Sequence, residues 1–198
     1  MNAFDNKAQE WDSPEKQRMA TRIADAITVK IDFTQIKTLL DYGAGTGLVG
    51  LHFADKVEHL TFMDTSEGML EVLLKKLKSS SIKADVLKID LQKDLNYNRK
   101  FDAIVISMAL HHISDTISIL NKFSKLLNPN GKLIIADLEE EDGSFHGNGF
   151  DGHNGFNVEN LSTLCQKVQL NVIYANTILK IKKNNRNYPI FMLIAHKS

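Results

Sequence analysis

The chain has 198 residues, of which 43% are apolar and 24% charged, and 24 Lys plus Arg balance 24 Asp plus Glu. This composition is typical of a globular protein with one structural domain, and zero net charge argues against a general nucleic-acid binder, which needs basic residues to displace counterions from phosphates. A single cysteine, Cys165, excludes an intrachain disulfide, and no apolar run approaches the roughly 18 to 20 residues that cross a bilayer, so we expect a cytoplasmic protein without a membrane partner.

The first 37 residues differ from the rest of the chain. Ser13 and Pro14 are typical of a helix N-cap and of the first helical position, so a helical segment is predicted to cover the mouth of the domain. From residue 38 onward, short apolar runs alternate with amphipathic stretches, which is the pattern of parallel strands joined by helices. The sequence therefore predicts a cover segment, residues 1–37, and a domain, residues 38–198.

Seven strands and four helices are predicted in the domain. The strands are residues 38–41, 59–63, 84–89, 103–107, 132–137, 172–181 and 190–196. The helices are residues 48–54, 68–78, 116–127 and 158–168. Residues 128–131, with the sequence NPNG, indicate a turn before the fifth strand. Residues 182–187 are too few for a crossover helix, so the last two strands should form an antiparallel hairpin.

Glycines fill the predicted turn between the first strand and the next helix, in the sequence Asp41-Tyr42-Gly43-Ala44-Gly45-Thr46-Gly47. Glycine permits a tight turn and close approach to a ligand, and a helix start presents free N–H groups to an anionic one. Further on, the second strand ends at Asp64, whose carboxylate can accept both hydroxyls of a ribose. These features predict a nucleoside cofactor.

Two cofactor classes fit this pattern. Residues 45–50 match the dinucleotide fingerprint Gly-x-Gly-x-x-Gly, so an NAD-dependent oxidoreductase is one alternative. Asp41, at the end of the first strand, disfavours it because a carboxylate there repels a pyrophosphate. The same carboxylate favours an ammonium or a nearby sulfonium group.

Five segments in order resemble the motifs of the class I S-adenosylmethionine-dependent methyltransferases. They are residues 39–47 (LLDYGAGTG), 61–70 (TFMDTSEGML), 88–91 (KIDL), 101–113 (FDAIVISMALHHI) and 127–137 (LNPNGKLIIAD). The resemblance implies a Rossmann-like three-layer αβα sandwich, whose mostly parallel sheet has seven strands in the order 3-2-1-4-5-7-6 with the seventh antiparallel. Within the family, the chain is most similar to the small-molecule methyltransferases of ubiquinone and menaquinone synthesis.

The resemblance implies S-adenosylmethionine as cofactor, S-adenosylhomocysteine as product and a small-molecule methyl acceptor. Asp41 and the backbone of Gly43, Ala44, Gly45, Thr46 and Gly47 would hold the methionine portion, and Asp64 the ribose. Thr65, Met69 and Leu91 would surround the adenine, whose amino group would meet Asp90. Ser107 would offer its backbone carbonyl to the methionine ammonium.

Catalysis by in-line methyl transfer can gain roughly 7 to 11 kcal/mol from proximity alone, so a base is optional. His112, His146 and His153 are the candidate catalytic bases, or they contact the substrate, whereas His111 could simply pack. Residues 139–157 contain five glycines and are predicted to form a flexible substrate-binding loop. We expect no metal site, because the loop histidines and acids have no fixed ligand spacing. A divalent metal at His146 and His153 is the alternative.

Charge is distributed unevenly near the end of the chain. Five acids lie within residues 137–142, whereas six Lys or Arg and no acid follow Glu159. The two regions either neutralise each other or leave a basic rim that attracts an anionic substrate. The motif of DNA amino-methyltransferases is missing after the fourth strand, so nucleic acid is not an expected substrate. A catalytically silent cofactor-binding module is a second rival, and a monomer or homodimer is expected.

Overall fold

The computed structural model describes residues 4–94, 96–147 and 149–197. These residues form two compact units, the first ending at Tyr97 and the second beginning at Asn98. Residues 1–3 of the predicted cover segment and Asn148 of the predicted loop lie outside the described residues. Among the described helices, none combines the length and the apolar character needed to cross a membrane.

The first unit holds three strands and two α-helices. They are α1 (Pro14–Lys30), β1 (Thr38–Tyr42), β2 (His59–Asp64), α2 (Glu67–Lys78) and β3 (Ala84–Lys88). Strand β2 pairs in parallel with both β1 and β3. Leu39, Leu40 and Phe62 are fully buried on these strands, as their unbroken apolar runs predict for a parallel sheet. Short 3-10 helices lie at Asp5–Glu10, Phe33–Gln35 and Gly50–Phe53.

The second unit holds four strands and two α-helices. They are β4 (Phe101–Ser107), α3 (Thr116–Leu126), β5 (Leu127–Leu138), α4 (Val158–Lys167), β6 (Leu170–Lys183) and β7 (Arg186–Lys197), with a 3-10 turn at Leu110–His112. Strands β4 and β5 are parallel, whereas β7 runs antiparallel to β5 and β6. Asn184 and Asn185 both have positive φ and form the two-residue turn of the predicted hairpin.

The seven strands form one sheet of order β3-β2-β1-β4-β5-β7-β6. The expected order and the antiparallel seventh strand are therefore confirmed. Each α-helix begins at a side chain that caps its free N–H groups. Ser13, Ser66, Asp115 and Asn157 accept hydrogen bonds from the backbone N–H three residues further on.

Two predicted elements differ in detail. The predicted helix at residues 48–54 is the single 3-10 turn Gly50–Phe53. In an α-helix, Gly50 N–H would donate to the carbonyl of Thr46. In the structure, Gly50 N–H donates to Asp41, and Lys76 Nζ donates to the Thr46 carbonyl. Strand β5 begins at Leu127, which is earlier than predicted. Its pairing with β4 is interrupted between Leu127, opposite Phe101, and Lys132, opposite Ala103. The predicted NPNG turn lies in that interruption, where Asn130 has a φ of 62°.

Helix α3 offers a direct test of which side chains stabilise the second unit. Phe123 is fully buried, whereas Ile117 on the same helix is 39% exposed. Phe123→Ala is expected to lower the free energy of unfolding by about 3 to 5 kcal/mol, because it removes buried apolar surface and leaves a cavity. Ile117→Ala, the matched control, should change it by less than about 1 kcal/mol. Urea unfolding measures both, and equal losses would contradict the packing described.

Candidate functional site

The glycine-rich loop follows β1 and turns back along β2. Gly43, Gly45 and Gly47 have φ values of 69°, 55° and 79°, a region that favours glycine. The N–H groups of Gly43 and Ala44 donate to the carbonyl of Met63 at 2.8 and 3.1 Å. A Cβ on Gly47 would lie 2.6 Å from Leu73 Cδ1 on helix α2. The loop therefore depends on glycine both for its conformation and for its close approach to α2.

Asp64 ends β2 and bridges the glycine-rich loop to the start of α2. Its Oδ2 accepts from Gly45 N–H at 2.7 Å, and its Oδ1 accepts from Ser66 N–H at 2.8 Å. Burial raises the pKa of this carboxyl above its ordinary value, and the backbone donors offset part of the shift. Each carboxylate oxygen can accept a further hydrogen bond, so the group can still receive hydroxyl donors from a ligand.

Asp41 lies deeper, at the end of β1. It is 2% exposed, and its Oδ2 accepts from Gly50 N–H at 3.0 Å. Burial raises its pKa to about 7, and the nearby charge of Asp64 adds to the shift. A Cβ on Gly50 would lie 2.4 Å from the Asp41 Oδ2 atom, so the position requires glycine. The first unit thus keeps two neighbouring carboxyl groups largely out of water.

The predicted adenine residues lie beside the same strands. Asp90 follows β3, and its Oδ1 accepts from Gln92 N–H at 3.0 Å. Leu91 is buried, and its N–H donates to the hydroxyl of Tyr42 at 3.3 Å. Met69 is buried on α2, whereas Thr65 is exposed. All the predicted cofactor residues except Ser107 therefore lie in the first unit.

The N-terminal segment contacts α2 through Asp5, a residue that the sequence analysis did not single out. Asp5 Oδ1 accepts from Ser66 Oγ at 2.6 Å and from Gly68 N–H at 3.1 Å. A Cβ on Gly68 would lie 2.9 Å from the Asp5 carbonyl oxygen, so glycine at this position permits the close approach. A carboxylate near the first turn of a helix is also favoured by the helix dipole.

Asp12 connects the same N-terminal segment to the glycine-rich loop. Its Oδ1 accepts from Thr46 Oγ1 at 2.5 Å, and its Oδ2 pairs with Lys76 Nζ at 2.6 Å. Lys76 also donates to the Thr46 carbonyl at 2.7 Å. The neighbouring Trp11 places its Nε1 3.9 Å from the position of a Cβ on Gly45. No sequence motif marked Asp12 or Lys76, because the pair is assembled from distant segments.

The second unit contains a cluster of histidines after β4 and β5, which we call the histidine cluster: His111, His112 and His146. His111 is 1% exposed, and its Nδ1–H donates to Oδ1 of the fully buried Asp137 at 2.6 Å. The backbone N–H of His111 donates to Asp137 Oδ2 at 3.2 Å. His111 therefore packs in the core, as one alternative expected, but in a polar pair with the carboxylate that ends the apolar run of β5.

His112 and His146 stand beside His111. The ring centroids of His111 and His112 are 4.2 Å apart, and those of His111 and His146 are 5.0 Å apart. Burial, with His111 and His146 nearby, lowers the pKa of His112 to about 4. Burial, with His111 and Lys183 nearby, lowers the pKa of His146 to about 4. Both rings are therefore neutral near pH 7, each with one unprotonated ring nitrogen.

His153 occupies a different place. Its Nε2 lies 3.0 Å from the carbonyl oxygen of Ile113 and 3.2 Å from Thr116 Oγ1, and its backbone N–H donates to the carbonyl of His111. These bonds attach the loop after β5 to the start of α3. Ser107 ends β4, and its buried Oγ has no hydrogen-bond partner among the described residues.

The acidic stretch, residues 137–142, and the basic residues after Glu159 are joined by an ion pair within the second unit. Arg186 Nη1 lies 2.6 Å from Asp142 Oδ2, in an exposed ion pair. Hydrogen bonds from Ser144 and Arg186 lower the pKa of Asp142 to about 2. Lys183 Nζ lies 3.9 Å from the centroid of the Phe145 ring. Arg186 is therefore held by an acid of the loop, which is the mutual neutralisation that the sequence suggested.

Comparison with known proteins gives a consistent result. Residues 40–133 match a family described as a methyltransferase domain. An uncharacterised methyltransferase of Schizosaccharomyces pombe is 34% identical over 150 residues, which cover 67% of this chain and 53% of that protein. The demethylmenaquinone methyltransferase of Thermotoga maritima is 29% identical over 144 residues, which cover 70% of this chain and 61% of that protein.

Solved structures of methyltransferases have a similar fold. The crystal structure of a SAM-dependent methyltransferase from Aquifex aeolicus matches with a TM-score of 0.72 at 17% identity, and 98% of each chain is covered. The chain spans about half to three fifths of the length of the two curated relatives. These likenesses agree with the motifs that the sequence carries and with the order of the strands.

The raised pKa of Asp41 predicts how stability depends on pH. Its folded value of about 7 lies above its ordinary value of 3.8, so the folded chain binds more protons than the unfolded chain between those limits. The free energy of unfolding of the wild type should therefore fall relative to that of Asp41→Asn as the pH rises from 4 to 7. Urea unfolding at a series of pH values measures the difference.

A matched control is Asp55→Asn, because the Asp55 side chain is 80% exposed. Its stability relative to the wild type should stay constant over the same range of pH. A difference between wild type and Asp41→Asn that is the same at pH 4 and pH 7 would contradict the burial of this carboxyl.

Proposed function

The chain belongs to the class I S-adenosylmethionine-dependent methyltransferases, and on that premise we propose that it transfers the methyl group of S-adenosylmethionine to a small molecule. The observation that carries the proposal is the pair of carboxyl groups, Asp41 and Asp64, held around the glycine-rich loop. S-adenosylmethionine brings an ammonium and a sulfonium, and buried carboxyl groups favour both cations. S-adenosylhomocysteine is the product.

Asp64 receives the ribose hydroxyls in this proposal. Its two oxygens already hold Gly45 and Ser66 through their N–H groups, so the carboxylate is fixed in place before the ligand arrives. Each further charge-assisted bond from a hydroxyl contributes about 1.5 to 3 kcal/mol. Asp41 and the backbone of residues 43–47 hold the methionine portion.

The adenine lies against Met69, Leu91 and Thr65, with Asp90 at its amino group. Met69 and Leu91 are both buried apolar side chains of the first unit. Leu91 is further held by its bond to the Tyr42 hydroxyl. Such contacts would hold the adenosine of either S-adenosylmethionine or NAD. The carboxyl groups therefore decide between the two cofactors.

An NAD-dependent oxidoreductase is the rival that the carboxyl groups disfavour. A pyrophosphate near the loop would make the ionised forms of Asp41 and Asp64 still more costly, because burial already raises the pKa of both groups. A catalytically silent module is a second rival, and it would bind the cofactor without turnover on any acceptor. A panel of phenols, quinols, thiols and carboxylates, incubated with methyl-labelled S-adenosylmethionine, tests this rival directly.

The histidines fit contact with the acceptor better than general base catalysis. An efficient base has a pKa near the working pH, whereas the pKa values of His112 and His146 are about 4. In-line displacement gains enough from proximity to proceed without a base for acceptors that are already nucleophilic. His153, which bonds to Ile113 and Thr116, positions the loop.

The acceptor is proposed to be a small molecule. The demethylmenaquinone methyltransferase among the relatives supports an acceptor with an aromatic or quinol-like ring, and the partly exposed Phe150 on the loop offers apolar surface for one. Charge attraction to an anionic acceptor would come from Lys180 and Lys182, because Arg186 pairs with Asp142.

The Asp64 assignment gives the most direct mutational test. Asp64→Asn removes the charge and one acceptor atom, so the affinity for S-adenosylhomocysteine should fall by about 10- to 100-fold. Asp55→Asn is the matched control, since the Asp55 side chain is 80% exposed and pairs with Lys56. Calorimetric titration measures both, and an Asp64→Asn variant that binds as tightly as the wild type would contradict the ribose assignment.

The N-terminal segment is proposed to cover the bound cofactor, because Asp12 ties it to Thr46 and Lys76. Asp12→Ala removes both bonds, so S-adenosylhomocysteine should dissociate several-fold faster than from the wild type. Glu10→Ala is the control, as Glu10 is exposed in the same segment. Stopped-flow displacement measures the rates, and equal rates for all three proteins would show that the segment is no cover.

A further inference from the structure

The histidine cluster brings three imidazole side chains together inside the second unit. His111 and His112 follow β4, and His146 comes from the loop after β5. One ring nitrogen from each lies within 4.8 Å of the others. Imidazole nitrogen is a preferred ligand of zinc and of neighbouring transition metals. Three such ligands converging from two segments are the core of a metal centre.

Asp137 holds the first of these ligands. Its Oδ1 lies 2.6 Å from His111 Nδ1, and a proton held on Nδ1 in this bond would leave the Nε2 lone pair for a metal. Asp137 is itself held by the backbone N–H groups of His111 and Leu138. Histidines that bind metal usually donate their other ring N–H to a carboxylate, which sets the tautomer and strengthens the ligand. The pair therefore has the chemistry of a metal ligand and its supporting carboxylate.

His146 supplies a second observation that points to a ligand. Its Nε2 is shielded from solvent and has no hydrogen-bond partner in the described part of the chain. A buried polar atom without a partner costs roughly 1 to 3 kcal/mol. The ring is also held in place, because it stacks on Phe150 with centroids 3.8 Å apart. A bound cation would supply the missing partner without moving the ring out of its stack.

We propose that the histidine cluster (His111, His112 and His146) binds a divalent transition-metal ion through three imidazole nitrogens. Zinc is the metal used to test the proposal. A tetrahedral ion has a fourth position, which water or a heteroatom of a small molecule would fill. The metal would lower the pKa of a hydroxyl, thiol or water bound there, and the released proton would pass to solvent. The proposal replaces the sequence expectation of no metal and does not depend on the proposed function.

The cluster must contract slightly to bind zinc. Zinc lies about 2.0 to 2.1 Å from each imidazole nitrogen, which places the nitrogens roughly 3.4 Å apart. A Cβ on Gly147, next to His146, would meet nothing within 4 Å, so no packed atom there opposes a shift of His146. His111 is held by Asp137 and serves as the fixed point of the site.

Zinc binding is tested on the full chain without cofactor, by competition with a chromophoric chelator after metal has been removed. The wild type should bind one zinc ion, and cobalt should give the visible absorption of a tetrahedral site. His146→Ala should weaken zinc binding by more than tenfold, and Asp137→Asn by about 10- to 100-fold. His59→Ala is the control, because His59 is exposed at the start of β2.

Folding and metal binding are separated by a second readout. His146 lies in a loop, so its removal should leave the circular dichroism spectrum unchanged, and zinc should raise the melting temperature of the wild type but not of this variant. Failure of the wild type to bind zinc would overturn the proposal. Equal zinc affinity for His146→Ala and His59→Ala would overturn it as well. Neither result bears on S-adenosylhomocysteine binding, which is measured without metal.

Discussion

The first unit depends on keeping two carboxyl groups out of water next to each other. Burial raises the pKa of Asp41 to about 7, and it raises that of Asp64 in the same direction. Backbone N–H groups of the glycine-rich loop and of α2 offset part of this cost. The N–H of Gly50 can approach Asp41 only because Gly50 has no Cβ. Loop, strand ends and helix start are therefore fixed around a negative region that a cationic ligand would complete.

Much of this arrangement can be predicted from the sequence. Parallel strands that are buried on both faces consist of continuous apolar runs, and such runs predict β4 and the second half of β5. The glycines and Asp41 and Asp64 could be placed because their spacing reflects local requirements of a strand, a turn and a helix start. The hairpin was predictable from loop length alone. The early start of β5 was not, because it depends on pairing with β4.

What the sequence could not predict comes from contacts between distant segments. Asp12 and Lys76 meet at Thr46, and nothing in their own neighbourhoods marks them. The sequence places Asp137 among the five acids of residues 137–142. A carboxylate near the end of a buried strand, however, indicates a buried hydrogen-bond partner. That partner is His111, which follows the neighbouring strand. A search for acids at the ends of parallel strands would have found this pair.

We propose that the carboxyl groups around the glycine-rich loop select S-adenosylmethionine over a dinucleotide. The decisive measurement is calorimetric titration of the wild-type protein with S-adenosylhomocysteine and, separately, with NAD. We expect micromolar binding of S-adenosylhomocysteine and no binding of NAD at the same concentrations. Binding of NAD without binding of S-adenosylhomocysteine would show that the carboxyl groups do not select the cofactor in this way.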